Sequence, residues 1–518
     1  MDQYISAILN YNPKTLYLKQ EMRLNHHIVI ALSVLLSFSC IQKAKIEVVT
    51  ELTETQEAVT KADTPTVLEG EFDFSVRDKD IWAYIERQKD FPRVLSIEPR
   101  VREGDTLMFI ANLEQGWKIF SADKHLPPIV AEIPAGSFEQ KTIDNPGVIF
   151  WMEDLMDLTI KLKQEKALSS ANKYTDMWVG YSFTKRVGGS DAGVKGLSQD
   201  PTWTRAIINE QMVLQQTTYG PYLSTNWGQG SPWNSSLPIY QVNQHFPTGC
   251  VAVAVSQLLY YYHYAINCPS GLYHDIAISN WVYHSGNQPY YTSILSLSNY
   301  QYPSSLWGSM VLDSTEYVNN DPTSLTGAAY VSDLMVDVGN RVNMHYYADA
   351  SGSGSNITYA QTALATYGLA SNYATFNAST VVAEMVNERP IYLRGANNTS
   401  GHAWVVDGAK KYQYVTYITY QWWMGYLVGS LPNGEEMTQE QAIAAAWEIG
   451  LDKPEDGMIT YGVSYTEPYY SFHMNWGWDG ILNGFFFDDG QIILGEGGGT
   501  ISYSSYQQML YNIHANSN

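Results

Sequence analysis

The sequence predicts an α+β protein, and three observations carry that prediction. Val94–Val101 and Thr106–Leu113 read as strands around a Glu103-Gly104-Asp105 turn, the pattern of a hairpin. An apolar run behind Cys250 (Val251, Ala252, Ala254, Val255, Leu258, Leu259) reads as a helix. The later part of the chain is strand-rich, with Ala403–Val406 as a buried strand. The 518 residues are 45% hydrophobic, enough for a large core and for two to four domains. Fifty-two acidic residues face 30 basic ones, a formal net charge of -22. That balance argues against nucleic acid and anionic membrane surfaces as partners. There is no basic stripe, zinc-type Cys/His spacing, phosphate-cradling loop or internal repeat.

Residues 1–40 are a signal region. Met22-Arg-Leu-Asn-His-His is a positive n-region, Ile28–Phe38 an apolar core, and Ser39-Cys40 a small-residue cleavage context. The apolar core is too short to span a bilayer. Residues 1–21 have no place in such a signal, which points to Met22 as the start of translation. The position of Cys40 resembles that of the lipid-modified cysteine in bacterial lipoproteins, although Ser37 stands where Leu is usual. Ordinary cleavage and secretion is the other reading. Any membrane contact is therefore expected only through a lipid on Cys40. No later segment is long and apolar enough to cross a membrane.

Residues 41–70 are polar and read as a linker. Residues 71–195 read as a first globular domain. Besides the hairpin it holds a strand at Gly116–Asp123 and, from the spacing of Leu155, Leu158 and Leu162, a helix over Asp154–Leu168. The stretch 184–200 is Gly-rich with exposed basic residues, a place for a boundary and for proteolytic nicking. Residues 196–518 read as a second α+β domain, helical first and strand-rich later.

The chain has three cysteines, Cys40, Cys250 and Cys268, which do not make a disulfide framework. Cys268 is taken as free. Cys250 follows Thr248-Gly249 directly, so it stands at the start of its helix. The unpaired N–H groups and the dipole there favour an anion, and the thiolate is the nucleophilic form of a thiol. By itself the stretch reads equally as a core helix with a small buried cysteine.

A nucleophilic cysteine needs a base and a group that orients the base. His402, behind Ser400-Gly401 and at the head of the Ala403–Val406 strand, is the candidate base. It lies about 150 residues after Cys250, an order and separation known among cysteine peptidases. Asn475, in Ser471-Phe-His-Met-Asn-Trp-Gly-Trp478, is the candidate orienter, and Trp476 can cover its hydrogen bond. His473 is a rival base two residues earlier, on the same strand face as Asn475, where a supporting position suits it better. The Cys250 N–H and the Gln229 side chain are candidate donors to an oxyanion. Read singly, His402 is as readily structural, Asn475 and Trp476 part of an aromatic turn, and Gln229 a solvated loop residue.

Four segments in order resemble the streptopain family of bacterial cysteine peptidases. They are Gln229-Gly-Ser-Pro-Trp-Asn234, Thr248-Gly-Cys-Val-Ala252, Gly401-His-Ala-Trp-Val-Val-Asp-Gly408 and His473-Met-Asn-Trp-Gly-Trp478. Ala328–Met344, followed by the Gly/Ser-rich stretch up to Gly354, is similar to a helix and cleft-bordering loop of that family. Gly116–Lys124, Pro127–Val130 and Gly136–Phe138 resemble its propeptide. The resemblance covers roughly residues 75–518 and implies a papain-like fold. In it a helical half presents Cys250, an antiparallel β-sheet half presents His402 and Asn475, and a separate α+β propeptide domain precedes both. It further implies a zymogen whose propeptide blocks the site until cleavage near 184–200, polypeptide substrates bound extended, and no cofactor or metal. An apolar or aromatic side chain two positions before the cut would be preferred.

Residues 411–470 form a longer insertion than the family leads one to expect, with a helix over Ala442–Ile449 behind a Thr438/Gln441 capping box. Two further readings stand beside the peptidase: a binding protein on the same fold without turnover, and a thiol acyltransferase.

Overall fold

The computed structural model describes residues 73–88, 90–138, 143–164, 172–179, 203–241, 244–264, 272–273, 297–298, 304–319, 321–346, 353–396, 401–424, 434–437, 439–448, 453–488, 491–493, 500–502 and 507–515. The signal region, Cys40, the linker, the 184–200 stretch, Cys268, Thr438 and most of the Gly/Ser-rich stretch before Gly354 lie outside these residues.

A 13-stranded sheet organises the described chain. Its strands are β1 (Val94–Arg102), β2 (Asp105–Leu113), β3 (Trp117–Ser121), β4 (Ile129–Ile133), β5 (Trp203–Tyr219), β6 (Leu369–Thr375), β7 (Ile391–Ala396), β8 (Gly401–Met424), β9 (Gly434–Met437), β10 (Ile459–Tyr465), β11 (Tyr469–Asn475), β12 (Gly484–Phe487) and β13 (Gln508–Ala515). The main path is β1-β2-β3-β4-β12-β11-β8-β7-β13-β6, with antiparallel pairing throughout. The hairpin expected over 94–113 is β1–β2, paired across the predicted turn. The link between β4 and β12 (Glu132↔Phe485, Ala131↔Phe486) carries one sheet from the N-terminal strands into the rest.

β8 is the spine. Its register gives it β7 and then β5 along one edge, and β11 and then β10 along the other. Side chains alternate across a strand, and here they divide two cores. Tyr392, Ala403 and Val405 enter the core built on the helices α4 (Cys250–Tyr261), α5 (Pro322–Arg341) and α6 (Ile357–Thr366). Ile391, Leu393, Trp404 and Val406 enter the opposite core, which is closed by α2 (Pro146–Gln164) through Val148, Phe150, Trp151 and Leu155. Because both faces are covered, residues 402–409 are buried without interruption. The helical half and the sheet half of a papain-like fold are thus both present.

Three elements differ from the sequence reading. α2 begins at Pro146, not Asp154, because Asn145 caps it: its Oδ1 accepts from the N–H of Gly147 (3.0 Å) and Val148 (3.3 Å). Pro146 then takes the first helical position, where no N–H is needed. The stretch read as helical first, residues 196–518, begins its described part with the 17-residue strand β5, not a helix. Its pairing partner, Ala409–Met424, lies about two hundred residues downstream and leaves no local trace. Residues 411–424 extend β8, which then pairs with β10, and α8 (Gln439–Glu448) packs through Ala442 on Trp203 and Trp422.

Candidate active site

Cys250 is the first residue of α4. Gly249 before it has φ 87°, and a Cβ there would lie 2.7 Å from Met344 Sδ, so the turn that delivers Cys250 requires glycine. Val251–Leu259 are buried, which fixes α4 as a core helix with Cys250 at its partly exposed head. The backbone amides of Ala403, Val251 and Cys250 itself favour the thiolate. Burial nevertheless pushes the thiol up, against these donors and the field of Arg394. The thiolate stabilisation expected at this helix start is therefore outweighed, since the donors do not repay the lost solvation of the anion.

His402 pairs across β7 with Gly395 and is 3% exposed. Its Nε2 lies 2.8 Å from the Trp476 carbonyl oxygen. A carbonyl only accepts, so Nε2 carries the proton and Nδ1 keeps its lone pair. The ring lies parallel to Trp404 at 6.0 Å, on the side where α2 sits. No hydrogen bond joins it to Cys250 among the described residues. Burial lowers its pKa to about 4, only partly offset by the carbonyl.

α2 reaches this ring. A Cβ on Gly147 would lie 2.7 Å from His402 Cδ2 and 2.3 Å from Trp476 Cε3, so only glycine allows the approach. A Cβ on Gly395 would lie 2.7 Å from Phe150 Cε1, and Trp151 Nε1 donates to the Phe487 carbonyl (3.1 Å). Asn145 Nδ2 ties the head of the helix to the Ile481 carbonyl (3.1 Å).

Asn475 is buried at the end of β11, but its side chain does not touch His402. Nδ2 donates to the Thr225 carbonyl (2.8 Å), and Oδ1 accepts from Gln257 Nε2 (3.2 Å) and Gly477 N (3.3 Å). Gln229 is buried, and its carbonyl accepts from Thr248 N (3.0 Å), two residues before Cys250. Trp476 is buried between Trp404 (5.0 Å) and Phe486 (5.1 Å), with its indole N–H unpartnered. So Cys250 meets the residue after His402, Gln229 is tied to the segment before Cys250, and Trp476 meets His402. The Cys250–His402 and His402–Asn475 contacts are not made.

The sequence reading passed over Gln257, seven residues after Cys250 on α4. Its Oε1 accepts from Thr225 Oγ1 (3.1 Å) and Trp227 N (3.3 Å). A buried glutamine within an otherwise apolar run was the available signal. Gly147 and Asn145 gave none. His473, weighed as a rival base, instead has Nδ1 2.6 Å from Asp407 Oδ1. A cavity of about 520 Å³ lies beside this pair and Asn475; neither Cys250 nor His402 lines it, so it is not the reacting cleft.

Residues 227–429 match the model of the Peptidase C10 family. Streptopain of Streptococcus pyogenes is 22% identical over 433 residues, covering 78% of this chain and 80% of that protein. The chain is similar to the streptopain family across most of its length. Another relative is the thiol protease/hemagglutinin PrtT of Porphyromonas gingivalis, 24% identical over 307 residues, which are 56% of this chain and 26% of that protein. Among solved structures, a prointerpain A fragment of Prevotella intermedia is similar at 18% identity and a TM-score of 0.46, covering 82% of this chain and 99% of that one. These matches support a cysteine peptidase.

Proposed function

We propose that the chain is an exported cysteine endopeptidase made as a zymogen, hydrolysing peptide bonds through a Cys250 acyl-enzyme. The observation that carries this is the close approach of Gly147 to His402. Residues 71–195 act as the inhibitory propeptide, with α2 holding His402 on the face away from the thiol. Residues 196–518 are the peptidase, and cleavage near 184–200 separates the two. Cys40 is the anchor if the exported protein is lipidated.

Once α2 leaves, His402 turns its Nδ1 lone pair to the thiol and takes its proton. The thiolate attacks the scissile carbonyl carbon, and the oxyanion is held by the Cys250 N–H and the Gln229 amide. The imidazolium gives its proton to the departing amine as the C–N bond breaks. Water, deprotonated by His402, then cleaves the thioester and releases a carboxylate. Asn475 orients the imidazole, and Trp476 shields it. The substrates are polypeptides.

The test compares residues 41–518 with the Cys250→Ala variant. Self-trimming near 184–200, casein degradation and alkylation of Cys250 are expected in the wild type and absent in the variant. If the wild type stays inert after an added protease removes residues 71–195, and Cys250 resists alkylation, the catalytic reading fails. A binding role on this fold then takes its place. New amide products that form only when an amine is added would instead mean acyl transfer.

A further inference from the structure

We propose that Asp407 and His473 are a positioning pair that clamps the segment Tyr222–Gln229 to the sheet and thereby sets the Gln229 amide beside Cys250. The proposal rests on the reading of Gln229 as an oxyanion donor.

Asp407 stands on β8 five residues after His402 and is 1% exposed. A buried carboxylate is tolerated only with its oxygens satisfied. Oδ1 meets His473 Nδ1 at 2.6 Å, and Oδ2 accepts from Leu223 N at 3.0 Å. The Asp407 carbonyl accepts from Tyr222 N at 2.9 Å. One residue therefore holds two successive amides of the incoming segment. The close approach is prepared by Gly220 (φ 69°), where a Cβ would lie 2.3 Å from the Asp407 carbonyl oxygen.

From this clamp the segment is pinned at intervals up to the nucleophile. Asn475 and Gln257 hold Thr225, Gln257 also holds Trp227 N, and Asn226 N donates to the Leu312 carbonyl (2.8 Å). The last link is Thr248 N to the Gln229 carbonyl. His473 and Asn475, two residues apart on β11, face the same side and serve the same segment. His473 acts through Asp407 at its start, and Asn475 acts directly at its middle. The ring of His473 is steadied edge-on against Phe485 at 5.1 Å. Among the described residues no other ionisable side chain bonds to Asp407.

Neither residue touches the reacting atoms, so their removal should act only through Gln229. The full chain, after processing, is prepared as Gln229→Ala, Asp407→Ala, the double variant, His473→Leu and His473→Gln. Peptide turnover and iodoacetamide alkylation of Cys250 are measured on each. Gln229→Ala should lower kcat by about 100-fold or more, as loss of an oxyanion donor does. Asp407→Ala and His473→Leu should lower kcat roughly 10- to 100-fold with KM within about twofold. Alkylation should change less than about twofold in all of them, because it develops no oxyanion. The double variant should be no worse than Gln229→Ala, and His473→Gln, which keeps a donor for Asp407, should recover most of the loss.

A full kcat in Asp407→Ala and His473→Leu beside a damaged Gln229→Ala overturns the clamp and leaves the donor reading intact. So does a double variant whose losses multiply. A full kcat in Gln229→Ala removes the donor reading itself, and the clamp with it. If Asp407→Ala does not fold, the contrast between His473→Leu and His473→Gln decides, with equal losses in the two counting against the clamp.

Discussion

Burial under Gly147 lowers the pKa of His402 to about 4, below the value near 6.5 expected in the unfolded chain. Between these values the unfolded or opened state binds more protons, so the covered arrangement loses stability as pH falls from about 6.5 to about 4. The full swing is about 3 kcal/mol. Self-processing should accordingly start roughly tenfold faster at pH 5 than at pH 7.5, by a time course of band conversion. A rate that is flat or falls with acid would show that His402 does not govern opening. Gly147→Leu tests the same contact without a proton. The added side chain cannot fit against Trp476 and His402, should cost about 1–3 kcal/mol, and should speed alkylation of Cys250 in the unprocessed chain. The helix start at Cys250 and the buried strand at His402 were both legible in the sequence, because each sits in a short local pattern. That Gly147, more than 250 residues before His402, would face that ring was not.

The joint between β4 and β8 also weakens with acid, but in a lower pH window. Glu132 on β4 takes Lys118 (2.8 Å) and Lys410 (2.7 Å) on Oε2 and the Tyr412 hydroxyl (2.8 Å) on Oε1. Despite burial, which acts the other way, these partners bring its carboxyl down to about 2. A carboxyl lowered from about 4.5 stabilises the fold above that pH, and the contribution is lost progressively as pH falls from about 4.5 to about 2. At pH 5 this joint therefore still holds while the cover on His402 loosens. Glu132→Gln leaves two partly buried ammonium groups facing each other and should cost about 3 kcal/mol in urea unfolding at pH 7. At pH 2 the difference from wild type should shrink. A constant difference across that range would mean that the cost is packing and not charge. The β1–β2 hairpin was legible from alternation and its turn. β5 was not, because its alternation is weak and its partner is remote.

In the molecule as a whole, the strands at 411–424 and 459–465 continue the main sheet, beside a small core of Trp203, Trp422 and Ala442. Trp422 is fully buried and donates to Thr460 Oγ1 at 2.8 Å. Trp422→Ala should cost about 3–5 kcal/mol locally and raise hydrogen exchange in 411–424 and 459–465. Peptide turnover should stay near wild type, since no described contact runs from that core to Cys250 or His402. A matching fall in turnover would tie the insertion to the cleft. The sequence by itself determined the α+β class, the N-terminal hairpin, the helix behind Cys250 and the ordered segments that carry the family. Those features are written in residues a few positions apart, through periodicity, turn chemistry and short motifs. Only the tertiary structure decided that α2 covers His402, that Asn475 bonds Thr225 and Gln257, and that Asp407 meets His473. Each of these joins residues far apart in sequence, and such pairs form only when the sheet brings their strands to one register, which no local pattern specifies.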